Sequence, residues 1–290
     1  MRIVENINEC LSKWWNNKES KKLFFTLIVL QLALAGITIA MLQYFIGDDF
    51  FSRIYLPENM HPDITQKYIN VNLMLSPLMV IYSFITVYIY FLLIRIAMKQ
   101  FGIKSGKFDT KKMLHSFVLM VATVFSAFFS WQQKKLLLAP ALTIILTFIQ
   151  IAIIPISLDL AKVIGISIWL LIIFYFIAVI RNGIRLMLSF PVFYSENLSI
   201  QETVQESWEL TEGKALHIFI QFFVITAITF ILGGALTFAL FEIGKEIGIW
   251  IGVLFTATVI STLGQILISA LSTMWYTYLT VIIYKNVKEK

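Results

Sequence analysis

Cysteine occurs once in this chain of 290 residues, at Cys10, so no intrachain disulfide and no cysteine-ligated metal site can form. Cys10 reads as an incidental residue beside Trp14 and Trp15. Histidine is nearly as scarce. His61, His115 and His217 are scattered, and none has a second histidine at ligand spacing. His61 lies near Glu58 and Asp63, a group that reads as a solvated loop turned by Pro57 and Pro62. The strings GxSxG, HExxH, GxGxxG and the phosphate-binding loop are missing as well. Nothing in the residues supplies a nucleophile, a general base, a metal site or a cofactor site. The expectation is therefore a protein that is not an enzyme.

Charge is the other shortage. Charged residues make up 14% of the chain, hydrophobic residues 59%, and the mean hydropathy is +0.82. A soluble domain is nearer half apolar and a quarter charged. The surplus apolar surface needs lipid as its solvent. Several runs exceed the roughly 18 apolar residues that mark a membrane-spanning helix. The alternating segments of an outer-membrane barrel are absent. The sequence thus predicts an all-α polytopic membrane protein in a single helical domain over residues 1–290.

The charges that are present set an orientation. The net charge is +6, and the basic residues flank the apolar runs. That distribution suits anionic lipid and a positive-inside topology, and gives no reason to expect nucleic acid. The mixed-charge arm before the first run does not read as a cleaved signal. Residues 3–15 within it are weakly amphipathic and suit the membrane surface. Expected spans cover residues 23–46, 71–97, 136–157, 163–180, 216–241 and 247–284, with both termini cytoplasmic. Pro77 is expected to start or kink the second span. Residues 113–131 are apolar but flanked by lysines on both sides, which suits a half-inserted or interfacial helix. The last span reads as one long helix preceded by an external turn at 242–248, where Gly244, Gly248 and Gly252 suit close helix packing.

Ionisable groups are almost absent from the spans, although such groups mark most transport and catalytic sites in membranes. The intramembrane polar residues are glutamines. Gln150, Gln221 and Gln265 suit interhelical hydrogen bonds, or alternatively a polar path for a small or amphiphilic substrate. The one long polar passage between spans begins after Arg181 and Arg185. In it, Ser199 and Glu202 stand at capping-box spacing, and a helix over 200–212 ends at Gly213. Ile200, Val204, Ser207, Trp208 and Thr211 fall on one face of this helix, and Glu202, Gln205, Glu206, Glu209 and Glu212 largely on the other. The acidic face suits something basic: Arg181, Arg185 or the lysines of 99–112 internally, or a protein partner. Arg181, Arg185, Glu196, Glu202, Glu206, Trp208 and Glu209 are the expected contact residues for lipid or partner.

The string "FPVFYSENLSIQETVQESWELTEGK", with Arg185 before it, resembles the signature of the membrane domain of bacterial glycerophosphodiester phosphodiesterases and related uncharacterised polytopic families. Arg185, Pro191, Glu196, Ser207 and Gly213 carry the likeness, and "NVNLMLSPLM" looks like the start of that domain's second span. The resemblance implies the membrane module without the catalytic barrel, so hydrolysis does not carry over. The expected protein is a multi-pass protein of a bacterial plasma membrane, acting as an accessory or scaffold at the cytoplasmic face. A permease-like subunit and a lipid-active enzyme are the alternatives.

Overall fold

A backbone in lipid must satisfy its own polar groups, and a chain this apolar does so as helices. The computed structural model describes residues 3–46, 62–106, 110–129, 138–196, 198–251 and 256–289. Every regular element among them is helical: α1 Ile3–Asn16, α2 Lys18–Ile46, α3 Pro62–Gln100, α4 Thr110–Phe129, α5 Leu138–Ile153, α6 Leu158–Leu186, α7 Ser189–Glu196, α8 Ile200–Leu210, α9 Ala215–Ile251 and α10 Thr256–Lys288. They group into two compact units, one of residues 2–100 with 221–279 and the other of residues 101–220 with 280–290. Among the described residues six stretches are long and apolar enough to cross a membrane: Lys18–Phe45, Ile69–Gln100, Lys111–Phe128, Leu158–Glu196, Ala215–Ile249 and Val259–Lys288. The loop with His61 lies outside the described residues.

In the first unit, α1 folds back onto the bundle. Asn6, Ile7, Cys10 and Trp14 are its buried residues. Asn6 Nδ2 donates to Gln221 Oε1 at 2.8 Å, and the Cys10 thiol donates to the Trp275 carbonyl at 3.1 Å. Burial pushes the Cys10 thiol up to about 12. The turn from α1 to α2 is a single residue, Asn17, whose Oδ1 accepts from the amides of Glu19 at 2.8 Å and Ser20 at 3.0 Å. These are two of the donors that a helix start leaves without a partner. Ser20 Oγ then lies 2.5 Å from the Tyr278 hydroxyl. Trp14 is buried against Phe24, while Trp15 is half exposed with Lys21 Nζ 4.7 Å over its ring.

Pro77 does not start a helix, because α3 runs straight through it. A proline at this position removes the amide that would bond the carbonyl four residues back, which is that of Leu73. Ser76 Oγ donates to that carbonyl at 2.8 Å and takes the missing donor's place. Hydroxyls commonly rescue prolines in membrane helices in this way.

The second unit contains α4 to α8 and the last turns of α10. α5 begins with Pro140 in its first turn, where the absent amide has no carbonyl to bond. It ends at Ile153, two residues before Pro155, which cannot extend the helix. The expected span 136–157 is thus a helix of 16 residues, while the segment expected to lie half-inserted forms the 20-residue α4. Gln150 joins α5 to α6 by donating to the Ala161 carbonyl at 3.2 Å. Its amide sits where a Cβ on Gly165 would lie 2.8 Å away, so the glycine makes room for it. Only 6% of the most apolar stretch of α6 is buried, against 61% for α10, so α6 is the more exposed helix.

One expectation about the last third needs correcting. Residues 242–248 are helical, and α9 continues to Ile251. Residues 247–251 therefore belong to α9, and α10 is described over Thr256–Lys288. The run contains no proline, and Glu242 and Lys245 pair at 3.6 Å one turn apart, so nothing in it stops a helix. The α9–α10 approach is tight at Gly233, where a Cβ would meet Ile268 Cγ2 at 2.9 Å, and at Gly264. A Cβ on Gly264 would meet the Thr237 Cα at 3.3 Å and Leu240 Cδ1 at 3.0 Å, whereas one on Gly234 meets nothing within 4 Å. Gly264→Leu should overpack this contact and cost about 1–3 kcal/mol, seen as a lower midpoint of thermal unfolding in detergent. Gly234→Ala serves as the control and should leave the midpoint in place.

Candidate functional site

The site is built at the end of α6, where the chain turns through Met187 and Leu188 into the short helix α7. The last four carbonyls of any helix lack intrahelical donors. The Arg185 carbonyl is in that last turn of α6, and two hydroxyls of α8 cover it: Ser207 Oγ at 2.8 Å and Thr211 Oγ1 at 3.3 Å. The Arg185 side chain returns the service. Its Nη2 donates to the Trp208 carbonyl near the end of α8 at 2.9 Å, and its guanidinium lies 3.9 Å from the centroid of the Trp208 ring. A cation at a helix C-terminus also interacts favourably with the helix dipole. Arg185 is buried, with 5% of its surface exposed, and Arg181 is exposed.

At the other end of α8, both halves of the capping box are present. Ser199 Oγ accepts from the Glu202 amide at 3.4 Å, and Glu202 Oε2 accepts from the Ser199 amide at 2.9 Å. These bonds hold the Glu202 carboxyl below the usual carboxylate range. Gly213, with φ +70°, terminates the helix region as expected. The buried face keeps Ser207 and Thr211 of the expected stripe and adds Thr203. Thr203, Ser207 and Thr211 are its fully buried positions, while Val204 and Trp208 are only half-buried. Glu202, Glu209 and Glu212 are exposed and Glu206 is half-buried. The back of α8 is therefore a hydroxyl seam, with an acidic front.

α7 carries the remaining contacts. Tyr194 OH lies 2.7 Å from Ser116 Oγ of α4, and the Tyr194 carbonyl accepts from the Gly106 amide at 3.0 Å. Lys112 Nζ stands 5.4 Å over the Phe193 ring. Glu196 pairs with Lys288 and accepts from Tyr284 OH at 2.9 Å, both from the end of α10. α6 caps α4 in its turn: Tyr175 OH donates to the Phe128 carbonyl at 3.0 Å, and Asn182 Nδ2 to that of Ala127 at 3.3 Å.

The three glutamines have different surroundings. Gln150 is bonded to Ala161, Gln221 is buried against Asn6, and Gln265 is exposed. Among the described residues no group of three or more His, Cys, Asp or Glu side chains gathers as a metal ligand set. Sequence reading named Arg185, Glu196 and Trp208 and placed Ser207 and Thr211 on the inward face, but missed Thr203 in the seam, Ser116 against Tyr194, and Tyr284 with Lys288. The i, i+4, i+8 spacing of Thr203, Ser207 and Thr211 was the available signal for the first of these.

A chain whose described elements are all helices, with six of their stretches able to span a bilayer, is a polytopic membrane protein. Residues 158–290, a little under half of the chain, match the family model described as the membrane domain of glycerophosphoryl diester phosphodiesterase. The matched region contains Arg185, α7, α8 and the end of α10, while the α4 residues that meet them lie before it. No curated protein and no solved structure matches the chain.

Two outcomes test this geometry. Arg185→Lys keeps the charge but loses the planar stack and the fork of donors. It should weaken the docking of α8 by about 1–2 kcal/mol, read as roughly tenfold faster hydrogen exchange at residues 203–211 with α5 unchanged. The capping box gives a pH dependence. Glu202's carboxyl is lowered in the folded state, so its contribution is fully present above the ordinary carboxylate pKa of about 4.3 and is lost as pH falls through the lowered value. Protection factors at residues 200–204 should be flat above about pH 5 and fall below it, and Glu202→Gln should flatten the profile.

Proposed function

We propose that this protein is a non-enzymatic accessory or scaffold of a bacterial plasma membrane, meeting a partner protein or lipid at the cytoplasmic face through α8. The observation that carries the reading is the two-sided character of that helix. Its hydroxyl seam and its C-terminus are fastened to α6 through Arg185, and its exposed glutamates stand on the outer side. A helix fixed in this way presents its charges in one geometry, which reduces the ordering cost of binding. The match of 158–290 to a membrane domain supports a membrane role for the same stretch. The positive-inside pattern of the flanking charges favours a cytoplasmic placement.

The transport alternative draws on the glutamines as a polar path. Two of them have their amides engaged by neighbours, which favours helix-to-helix fastening. Among possible occupants, an acidic face favours a basic protein surface over anionic lipid, because like charges repel.

The test is recovery of partners from mild detergent with the native protein and with Glu206→Lys plus Glu209→Lys. Both changes are at the outer side of α8, so the thermal midpoint should stay in place. Recovery of a basic partner is expected to fall about tenfold or more, because reversing two charges across an interface costs several kcal/mol. Unchanged partners together with unchanged lipid content would remove the docking role.

A further inference from the structure

The end of α10 returns beside the end of α7, and four side chains meet there. Tyr284 is buried, with 1% exposed, and its hydroxyl is 2.5 Å from Ser195 Oγ. The same hydroxyl donates to Glu196 Oε1 at 2.9 Å. Lys288, one turn further along α10, places its ammonium 3.2 Å from the Tyr284 hydroxyl and also on Glu196 Oε1. One carboxylate oxygen therefore takes two donors from one helix, and one of them is charged. Charge-assisted bonds of this kind are about twice as strong as neutral ones. The Lys288 and Glu196 side chains are 49% and 21% exposed, so the ionic half of the cluster is open to solvent while the hydroxyl half is inside.

Glu196 is also the last residue of α7, and Ser199, three positions later, is the N-cap of α8. Three residues of chain reach about 10 Å at full extension. The position of the Glu196 backbone therefore limits where α8 can begin. Its neighbour Tyr194 is tied to α4, so α7 is held on one side by α4 and on the other by α10.

We propose that the Glu196–Tyr284–Lys288 cluster is a conformational latch through which the C-terminal end of α10 sets the position of the acidic helix α8. With the latch closed, α7 is braced from both sides and the capping box of α8 is fixed. With Glu196 or Lys288 neutralised, the last turn of α10 loosens and the start of α8 loosens with it. The effect of the latch on a bound partner rests on the docking role of α8, but the latch itself does not.

The experiment is hydrogen exchange on the full chain in mild detergent, which needs no partner and so distinguishes a failed latch from a failed docking face. Three variants are compared with the native protein: Glu196→Gln, Lys288→Met, and the exchange of charges Glu196→Lys with Lys288→Glu. Each single change is expected to speed exchange about threefold at residues 284–289 and at residues 199–204 together, with residues 138–153 as an unchanged internal standard. The charge exchange should restore both regions. Lys288→Met, at the half-exposed periphery, stands in if Glu196→Gln disturbs the whole fold. Faster exchange at 284–289 alone, no change in either region, or a folded charge-exchanged variant that restores neither would overturn the proposal.

Discussion

The constraint on which this structure depends is the backbone carbonyl that has no water to turn to. In lipid an unpaired carbonyl costs several kcal/mol, and helix ends are where such carbonyls occur. The chain answers with side chains borrowed from other elements. Ser207 and Thr211 cover Arg185, Arg185 covers Trp208, Tyr175 and Asn182 cover the end of α4, and Ser76 covers the carbonyl that Pro77 abandons. The same bonds that satisfy the backbone also fix which helix lies against which. That is why a protein with few charged residues still has a definite site: its specificity rests on hydroxyls, amides and one arginine.

Arg185 shows how this constraint shapes the surface. A guanidinium next to five glutamates in the following passage would ordinarily be expected to pair with one of them. Here it is committed to the ring and carbonyl of Trp208. The stack uses the planar face of the cation and the carbonyl takes one of its donors, Nη2, so the cation is held inside the fold. The exposed acids of α8 are left to the solvent side as a consequence. Had the arginine paired with a glutamate, the helix would lose both its inner anchor and part of its outer charge.

The features legible in the sequence were local ones. The capping box at Ser199 and Glu202, the stop at Gly213 and the amphipathic helix between them depend on residues within a few positions of each other, and they appear as read. The gross architecture was legible for the same reason, since apolar run length is a local property. The long-range bonds were not: Glu196 meets a lysine 92 positions away, and Asn6 meets a glutamine 215 away. Nothing in either neighbourhood announces the other. The boundary of α9 was misread because charge and glycine normally signal a turn. In an apolar helix a pair such as Glu242–Lys245 neutralises itself and lets the helix continue.

The buried stripe of α8 has a different physical origin again. Hydrophobic periodicity places Val204 and Trp208 inward, and they are half-buried, yet the deepest positions are Thr203, Ser207 and Thr211. A helix that lay on lipid would gain most by turning its apolar side chains to the acyl chains. A helix that must cover another helix's open carbonyls gains more by turning hydroxyls inward, because each covered carbonyl avoids a penalty larger than the transfer of one methyl group. The observed orientation is therefore the one expected for a helix docked on a helix end. It leaves the acidic front facing away from the seam, where a charged surface is most readily kept solvated and easiest for a basic surface to reach.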